Sequence, residues 1–249
     1  MPRALLSALL PALVALLALT VLARAEPPPK ADAGKGAGVA LVLALDGSAS
    51  ITTGDLEFQL QGHAAAFRDA AVAEALAAAG ARVTLTAYSG PNSLRVLIPW
   101  TPLTTPEDAA RFADRIDALP RGFQGDSTAL GSAIETAAKL FDQKDAGRGG
   151  QASRRVIDLV SNGFSNGGLD PAVARDRATR NGIVINGLAI LDEFPWLEEY
   201  FEENVIGGPG SFVKSAMDKD SFVAALRQKL ILEMVALPDH MPSQGIAVP

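Results

Sequence analysis

Segments typical of β-strands alternate with segments typical of α-helices along this chain of 249 residues. This alternation predicts an α/β fold, a three-layer sandwich in which helices cover both faces of a mostly parallel sheet. A hairpin turn predicted at residues 89–93 adds one antiparallel edge strand. The predicted strands cover residues 38–45, 81–88, 94–100, 154–161, 183–191 and 211–216. The predicted helices cover residues 54–79, 106–119, 129–141, 171–181, 195–203 and 219–235.

The first strand is the most strongly predicted element. Residues 39–45 are all apolar, without polar alternation, and glycines bound the run, which is typical of a central strand buried on both faces. The runs 81–88 and 94–100 are short and rich in β-forming residues, and the Gly-Pro-Asn turn between them makes them a hairpin. Each later strand is separated from the next by a segment of helical spacing, which favours parallel pairing.

A polar cluster follows the first strand. Asp46, Ser48 and Ser50 lie where that strand should end, at the carboxyl edge of the sheet, where ligands of open α/β sheets collect. Their hard oxygen atoms suit Mg2+ or Mn2+. The alternative interpretation is that these residues only cap the next helix.

Two more oxygen-rich loops are expected near the same edge. Residues 125–128, Gly-Asp-Ser-Thr, open the third predicted helix, where Asp126, Ser127 or Thr128 could instead be an N-cap. Residues 160–168 leave the fourth strand, and could instead be a simple Gly/Asn turn. Three such loops at one sheet edge favour a metal site.

The N-terminus predicts export. Arg3 is followed by an uncharged run over residues 4–22, and then by Ala23-Arg24-Ala25, a pattern typical of signal-peptidase cleavage. We therefore expect a signal peptide over residues 1–25, a flexible linker over 26–37, one domain over 38–235 and a disordered tail over 236–249. An uncleaved membrane anchor is the alternative for the first segment.

The net charge and the absence of cysteine restrict which cellular compartment and which classes of partner are expected. Cleavage would remove two arginines and no acid, which changes the formal charge from −6 to −8. An acidic chain without a basic run disfavours nucleic acids and anionic lipids as partners. Because the chain has no cysteine, lipid attachment through a lipobox cysteine and disulfides are both excluded. We expect a periplasmic or secreted protein without stable membrane insertion after cleavage.

Three polar motifs follow one another in a distinctive order: Asp-x-Ser-x-Ser after the first strand, Gly-x-x-Thr before a helix, and a Gly-containing turn after the fourth strand. This order resembles the von Willebrand factor A domain and its metal-ion-dependent adhesion site. More narrowly, the chain is similar to the bacterial secreted family catalogued as domain of unknown function 1194. The stretches that carry this similarity are 58–62, 154–158, 185–190, 205–213 and 229–230. The resemblance implies a Rossmann-like sheet over residues 38–235, with Asp46, Ser48, Ser50 and Thr128 around Mg2+.

The turn after the fourth strand departs from the family pattern. The pattern has Ser-Gly-Asp-Gly, whereas this chain has Val160-Ser161-Asn162-Gly163, so Asn162 takes the acidic position. The acid at that position usually acts through water, and Asn162 still offers a carbonyl oxygen. The missing charge weakens the expected affinity for Mg2+ or Mn2+ unless Asp126 turns inward to replace it.

Catalysis is the remote alternative. A hydrolase using Ser48 or Ser50 would need a base, but His63 falls inside the first helical region and His240 in the tail. Trp100, Trp196, Tyr88 and Tyr200 are too scattered in sequence to predict a ligand-binding aromatic cluster, and are interpreted as packing residues. The acidic segment containing Glu198, Glu199, Glu202 and Glu203 is interpreted as a solvated helix face that could dock a basic partner.

The sequence therefore predicts a protein-binding module rather than an enzyme. Its expected site is the carboxyl edge of the sheet, where a bound ion could accept a carboxylate from a protein partner. A scaffold of the same fold with a metal-independent interface is the alternative.

Overall fold

The computed structural model describes residues 38–120, 125–142 and 152–235. The predicted signal peptide, linker and tail lie outside these residues. The strands are β1 (Val39–Asp46), β2 (Ala81–Tyr88), β3 (Leu94–Leu103), β4 (Arg154–Ser161), β5 (Ile183–Ile190) and β6 (Val213–Ala216). The helices are α1 (Thr53–Phe67), α2 (Ala70–Ala78), α3 (Pro106–Asp117), α4 (Leu130–Leu140), α5 (Pro171–Arg180), α6 (Leu197–Asn204) and α7 (Lys219–Met234).

The six strands form one sheet in the order β3-β2-β1-β4-β5-β6. All neighbouring strands are parallel except β2 and β3, which pair antiparallel and leave β3 at an edge. The predicted fold class, including its single antiparallel edge strand, is confirmed. The chain builds outward from β1 in one direction and then crosses to β4 on its other side. The carboxyl ends of β1 and β4 therefore flank the point where strand order reverses, which is the usual place for a ligand site.

Helices cover both faces of the sheet, which explains the unbroken apolar run of β1. Leu41, Leu43 and Leu45 pack with α1, α2, α3 and α7 on one face. Ala40, Val42 and Ala44 pack with α4, α5 and α6 on the other. All six side chains are fully buried, so alternation in this strand separates large from small apolar residues instead of apolar from polar. Among the described helices, none is long and apolar enough to cross a membrane.

The predicted helix 54–79 is wrong, because the structure contains two helices there. α1 ends at Phe67, and α2 begins at Ala70 with Asp69 as its N-cap. The Asp69 carboxylate accepts hydrogen bonds from the backbone N–H groups of Ala71 and Val72, at 3.0 and 3.3 Å. A short acidic side chain that satisfies the free N–H groups of a new helix favours a break at this position.

A buried charged cluster holds α7 on the sheet. The ammonium of Lys229 lies 2.7 Å from Asp158 Oδ1 on β4 and 2.6 Å from Glu233 Oε1 on α7, and all three side chains are fully buried. Asn186 of β5 donates to Glu233 Oε1 at 3.0 Å. Burial, reinforced by the charge of Glu233, raises the pKa of Asp158 to about 7, although Lys229 opposes the shift.

Candidate metal and partner site

An open cleft lies at the carboxyl edge of the sheet and has a volume of about 570 Å³. It is formed by the loop after β1 and the loop before α4, together with one residue of the loop after β4. The lining residues are Ser48, Ala49, Ser50, Gly125, Asp126, Ser127, Thr128 and Asn166. The predicted convergence of three oxygen-rich loops at this edge is present in the structure.

Asp46 is the buried carboxylate beside this cleft. Its side chain is fully buried, and Oδ1 accepts a hydrogen bond from the backbone N–H of Ser48 at 2.8 Å. Oδ2 accepts a hydrogen bond from the hydroxyl of Ser161, at the end of β4. Burial raises the pKa of Asp46, and the hydrogen bonds from Ser161 and Ser48 oppose that shift. Both oxygen atoms retain unused acceptor capacity, because a carboxylate oxygen carries two lone pairs.

Ser48 and Ser50 bring two hydroxyl groups together. Their Oγ atoms are 3.1 Å apart; Ser48 is buried, whereas Ser50 is exposed. The backbone N–H of Ala49, between them, donates to the carbonyl of Asp126 at 2.8 Å. Gly125 lies so close to this loop that a Cβ on it would be 2.5 Å from the Ala49 nitrogen, so only glycine fits there. The loops after β1 and before α4 are therefore fixed to each other.

Thr128 joins the cleft to the loop after β4. Its backbone N–H donates to Asn166 Oδ1 at 2.8 Å, and its carbonyl accepts from the Asn166 N–H at 2.9 Å. Its hydroxyl lies beside Gly163. The N-cap of α4 is Ala129 and has no side-chain capping bond, so the alternative interpretation of residues 126–128 as a cap is wrong. The side chains of residues 126–128 therefore do not cap α4.

Asp126 lines the cleft but faces the β2–β3 turn. Its Oδ1 accepts a hydrogen bond from the N–H of Ser127 at 2.6 Å, and its backbone N–H donates to Ser89 Oγ at 2.7 Å. Its Oδ2 lies against Gly90, which has a φ of 67° and where a Cβ would be 2.7 Å from that oxygen. The side chain is exposed. In this arrangement its charge is at the rim of the cleft.

Asn162 lies at the same edge but borders a second cavity. That cavity has a volume of about 170 Å³ and lies between the starts of α1 and α7. Asn162 is 6% exposed, and its Oδ1 has no hydrogen-bond partner among the described residues. Its amide oxygen is therefore available, although it is separate from the residues that line the main cleft. In the described parts of the chain, no group of three or more His, Cys, Asp or Glu side chains is arranged to hold a metal ion.

Ser161 is a site residue that the sequence did not reveal. Besides donating to Asp46, its hydroxyl accepts a hydrogen bond from the Gly163 N–H at 3.1 Å, and its Oγ lies 3.0 Å from the Gly163 carbonyl oxygen. It thus couples the end of β1 to the turn that carries Asn162. The only signal was the position of Ser161 at the end of a strand adjacent to β1.

His63 is a core residue. It is fully buried in α1, with Nδ1 2.7 Å from the carbonyl oxygen of Gln59 and its ring against Phe222 of α7. Burial lowers the pKa of His63 to about 4. A neutral histidine packed between two helices is in no position to activate Ser48 or Ser50, which agrees with its interpretation as a packing residue.

The aromatic residues divide into two groups. Tyr88 is buried, and its hydroxyl donates to the carbonyl of Val160 at 3.1 Å, while Trp100 packs on Phe141. Trp196 and Tyr200, by contrast, have ring centroids 6.3 Å apart at the surface. The four residues do not form one cluster, but Trp196 and Tyr200 lie close together at the surface.

The sequence pattern of one protein family, described as "Protein of unknown function (DUF1194)", matches residues 37–238. The chain belongs to this family. No curated protein matches the DUF1194 chain.

Solved structures share the fold of the DUF1194 domain. Proximal thread matrix protein 1 from the mussel byssus has a TM-score of 0.61 and 16% identity, over 80% of this chain and 48% of that chain. The pilus adhesin SpaC from Lactobacillus rhamnosus GG has a TM-score of 0.55 and 14% identity, over 80% and 31%. The von Willebrand factor domain of a type V pili tip protein from Porphyromonas gingivalis has a TM-score of 0.54 and 11% identity, over 78% and 94%.

These similarities establish a von Willebrand factor A fold. The DUF1194 chain spans about half the length of the mussel protein and about a third of the pilus adhesin. At identities this low, the likeness extends to the fold alone.

Proposed function

We propose that this protein is a secreted or periplasmic protein-binding module, and that its carboxyl-edge cleft binds Mg2+ or Mn2+. The observation that carries the proposal is the convergence of Asp46, Ser48, Ser50 and Thr128 at one edge, where Ser48 and Ser50 have hydroxyl oxygens 3.1 Å apart. One carboxylate and three hydroxyl groups are oxygen donors, and both cations prefer oxygen ligands.

The donor set fits a divalent cation of modest affinity. Asp46 supplies the negative charge, and its two hydrogen bonds fix its orientation without using all its lone pairs. Ser48, Ser50 and Thr128 supply neutral oxygens, and Asn162, which borders the neighbouring cavity at the same sheet edge, has a buried amide oxygen without a partner among the described residues. A second carboxylate would bind the ion more tightly, but Asp126 holds its charge at the rim.

A cation bound with a free coordination position would supply an electrophilic site for a carboxylate of the partner. The chain's part is to keep the hydroxyls in place through the bond between Ala49 and Asp126, and to keep Thr128 in place through Asn166. The same fold supports this role, since a structure of the mussel byssus protein is described as having a zinc-occupied metal-ion-dependent adhesion site motif.

A metal-independent interaction scaffold is the second candidate. It is favoured by Asn162, which removes a charge from the site, and by the raised pKa of Asp46, which reflects a carboxylate that is hard to keep ionised without a cation nearby. In that case the loops around the cleft would form a rigid surface that binds the partner directly, without a metal ion.

Capture of partners from a periplasmic extract distinguishes the two candidates. With Mg2+ present, we expect Ser48→Ala and Thr128→Ala to lose capture while retaining the native circular dichroism spectrum, and chelator to abolish capture by the unmodified protein. Thr179→Ala, which removes a hydroxyl from α5, is the matched control and should capture normally. Capture that survives both chelator and hydroxyl removal would contradict metal-dependent binding and support the scaffold.

A further inference from the structure

Four aromatic side chains meet at the surface beside the cleft. We call them the aromatic patch: Phe164, Phe194, Trp196 and Tyr200. Phe164 is its centre, with ring centroids 5.3 Å from Phe194, 5.5 Å from Trp196 and 6.3 Å from Tyr200. Trp196 also lies 5.3 Å from Phe194. These distances are within the range in which aromatic rings attract one another.

The patch combines two parts of the chain that are far apart in sequence. Phe164 comes from the loop after β4. Trp196 caps α6, and Tyr200, four residues later, lies on the same side of that helix. The N–H of Ser165 donates to the Tyr200 hydroxyl at 3.2 Å and joins the two parts.

The patch is not a closed core. Trp196 is 44% exposed and Phe164 is 37% exposed, so two large rings of the group face solvent. Exposed apolar patches mark interaction sites, and tryptophan and tyrosine are among the residues whose removal weakens binding most. The arrangement is held without the help of a partner, because the rings already contact each other.

The chain segment that carries three of the four rings is acidic. Residues 191–204 contain six acidic residues and no Lys or Arg. None of those six carboxylates forms an ion pair with any residue in the described ranges. Glu199 and Glu203 lie three residues after Trp196 and Tyr200, positions that neighbour those rings on a helix surface. The six residues are Asp192, Glu193, Glu198, Glu199, Glu202 and Glu203.

We propose that the aromatic patch binds an arginine-containing segment of a protein partner. A guanidinium group stacks on aromatic faces and also pairs with carboxylates, so it satisfies both features of this surface. A neutral apolar segment would leave the carboxylates without a counter-charge, and an acidic segment would be repelled. Lysine would be bound less well, since its compact ammonium does not stack in the same way.

This binding is separate from the proposed metal site, although both lie at one edge of the sheet. Ser165 Oγ donates to the carbonyl of Thr128 at 3.3 Å, so the loop that carries Phe164 also contacts the cleft. None of the four rings offers a ligand to the cation. We therefore expect arginine binding to persist in chelator, which makes it independent of the function proposed above.

The test uses the fluorescence of Trp196. The chain has two tryptophans, so Trp100→Phe leaves Trp196 as the only one. The probe is the peptide acetyl-Gly-Arg-Gly-Arg-Gly-amide, and its control is the same peptide with both arginines replaced by neutral citrulline. We expect saturable quenching by the arginine peptide in chelator, and binding of the citrulline peptide weaker by about tenfold. Calorimetry on the protein with both tryptophans repeats the measurement without relying on the Trp100 variant.

Matched variants locate the binding. By calorimetry, Phe164→Ala should weaken binding of the arginine peptide by about tenfold, whereas Leu232→Ala, which trims an exposed apolar side chain on α7, should not. The double variant Glu199→Gln/Glu203→Gln should weaken binding of the arginine peptide by several fold. The control double variant Glu74→Gln/Glu107→Gln, on α2 and α3, should bind the peptide normally. Equal binding of the two peptides, or equal losses in test and control variants, would overturn the proposal.

Discussion

Replacing Lys229 with methionine tests the buried charged cluster most severely. Methionine has a similar length and keeps the packing, but removes the ammonium that lies 2.7 Å from Asp158 and 2.6 Å from Glu233. Two carboxylates would then face each other with no exposure to water. Breaking a buried ion pair in this way costs about 3 to 5 kcal/mol, because it leaves an uncompensated buried charge.

The stability lost in Lys229→Met should depend on pH. Protonation of one acid relieves the repulsion, and Asp158 already has a pKa raised to about 7 by burial. We therefore expect the free energy of unfolding of Lys229→Met to fall by about 4 kcal/mol at pH 8 and by clearly less at pH 5. The loss of the contact between the ammonium and the Phe212 ring, at 5.0 Å, is smaller and independent of pH.

Urea unfolding followed by far-ultraviolet circular dichroism measures both values. Lys139→Met, on the exposed side of α4, is the matched control and should change stability by less than about 0.5 kcal/mol. Adding Asp158→Asn and Glu233→Gln to Lys229→Met should restore most of the lost stability, since no buried charge then remains. A loss of stability below about 1 kcal/mol at pH 8, or an equal loss at both pH values, would show that the Lys229 ammonium does not neutralise the two buried acids.

Three further predictions concern the cluster, a helix cap and the N-terminus. Because the pKa of Asp158 is raised from 3.8 to about 7 in the folded protein, its contribution is present at low pH and is lost as pH rises between those values. Asp158→Asn should therefore match the unmodified protein in urea unfolding at pH 4 and exceed it at pH 8; a constant difference would contradict this. Asp69→Ala should lower the unfolding free energy by about 1 kcal/mol through loss of the α2 cap, whereas the exposed Asp114→Ala should lower it less. Mass spectrometry of the exported protein should find Glu26 as the first residue, and an intact Met1 in a membrane fraction would support an anchor instead.

The sequence predicted the sheet well because its strongest signals are local. The unbroken apolar run of β1 and the turn at residues 89–93 each determine one element and its neighbours. The sequence does not reveal the break between α1 and α2, because helical spacing continues on both sides of Asp69 and the capping hydrogen bonds of that side chain appear only in the structure.

The site was predictable only in part, for a related reason. Asp46, Ser48 and Ser50 are adjacent in sequence, so one strand end is enough to bring them together. The contact between Ser161 and Asp46 and the contact between Phe164 and Trp196 depend on how distant loops meet. Sequence spacing carries no information on such pairs, and the acidic segment looked like a solvated face until its aromatic neighbours were located.

Calorimetric titration with Mg2+ and Mn2+ measures the proposed metal binding itself. We expect binding by the unmodified protein, no binding by Asp46→Ala, and binding about tenfold tighter by Asn162→Asp, because a second negative charge is then present at the same edge of the sheet. Asn181→Asp adds the same charge at the exposed end of α5 and should leave the affinity unchanged. Negligible heats from the unmodified protein, Asp46→Ala and Asn162→Asp alike, up to about 10 mM metal, would show that the cleft binds neither ion.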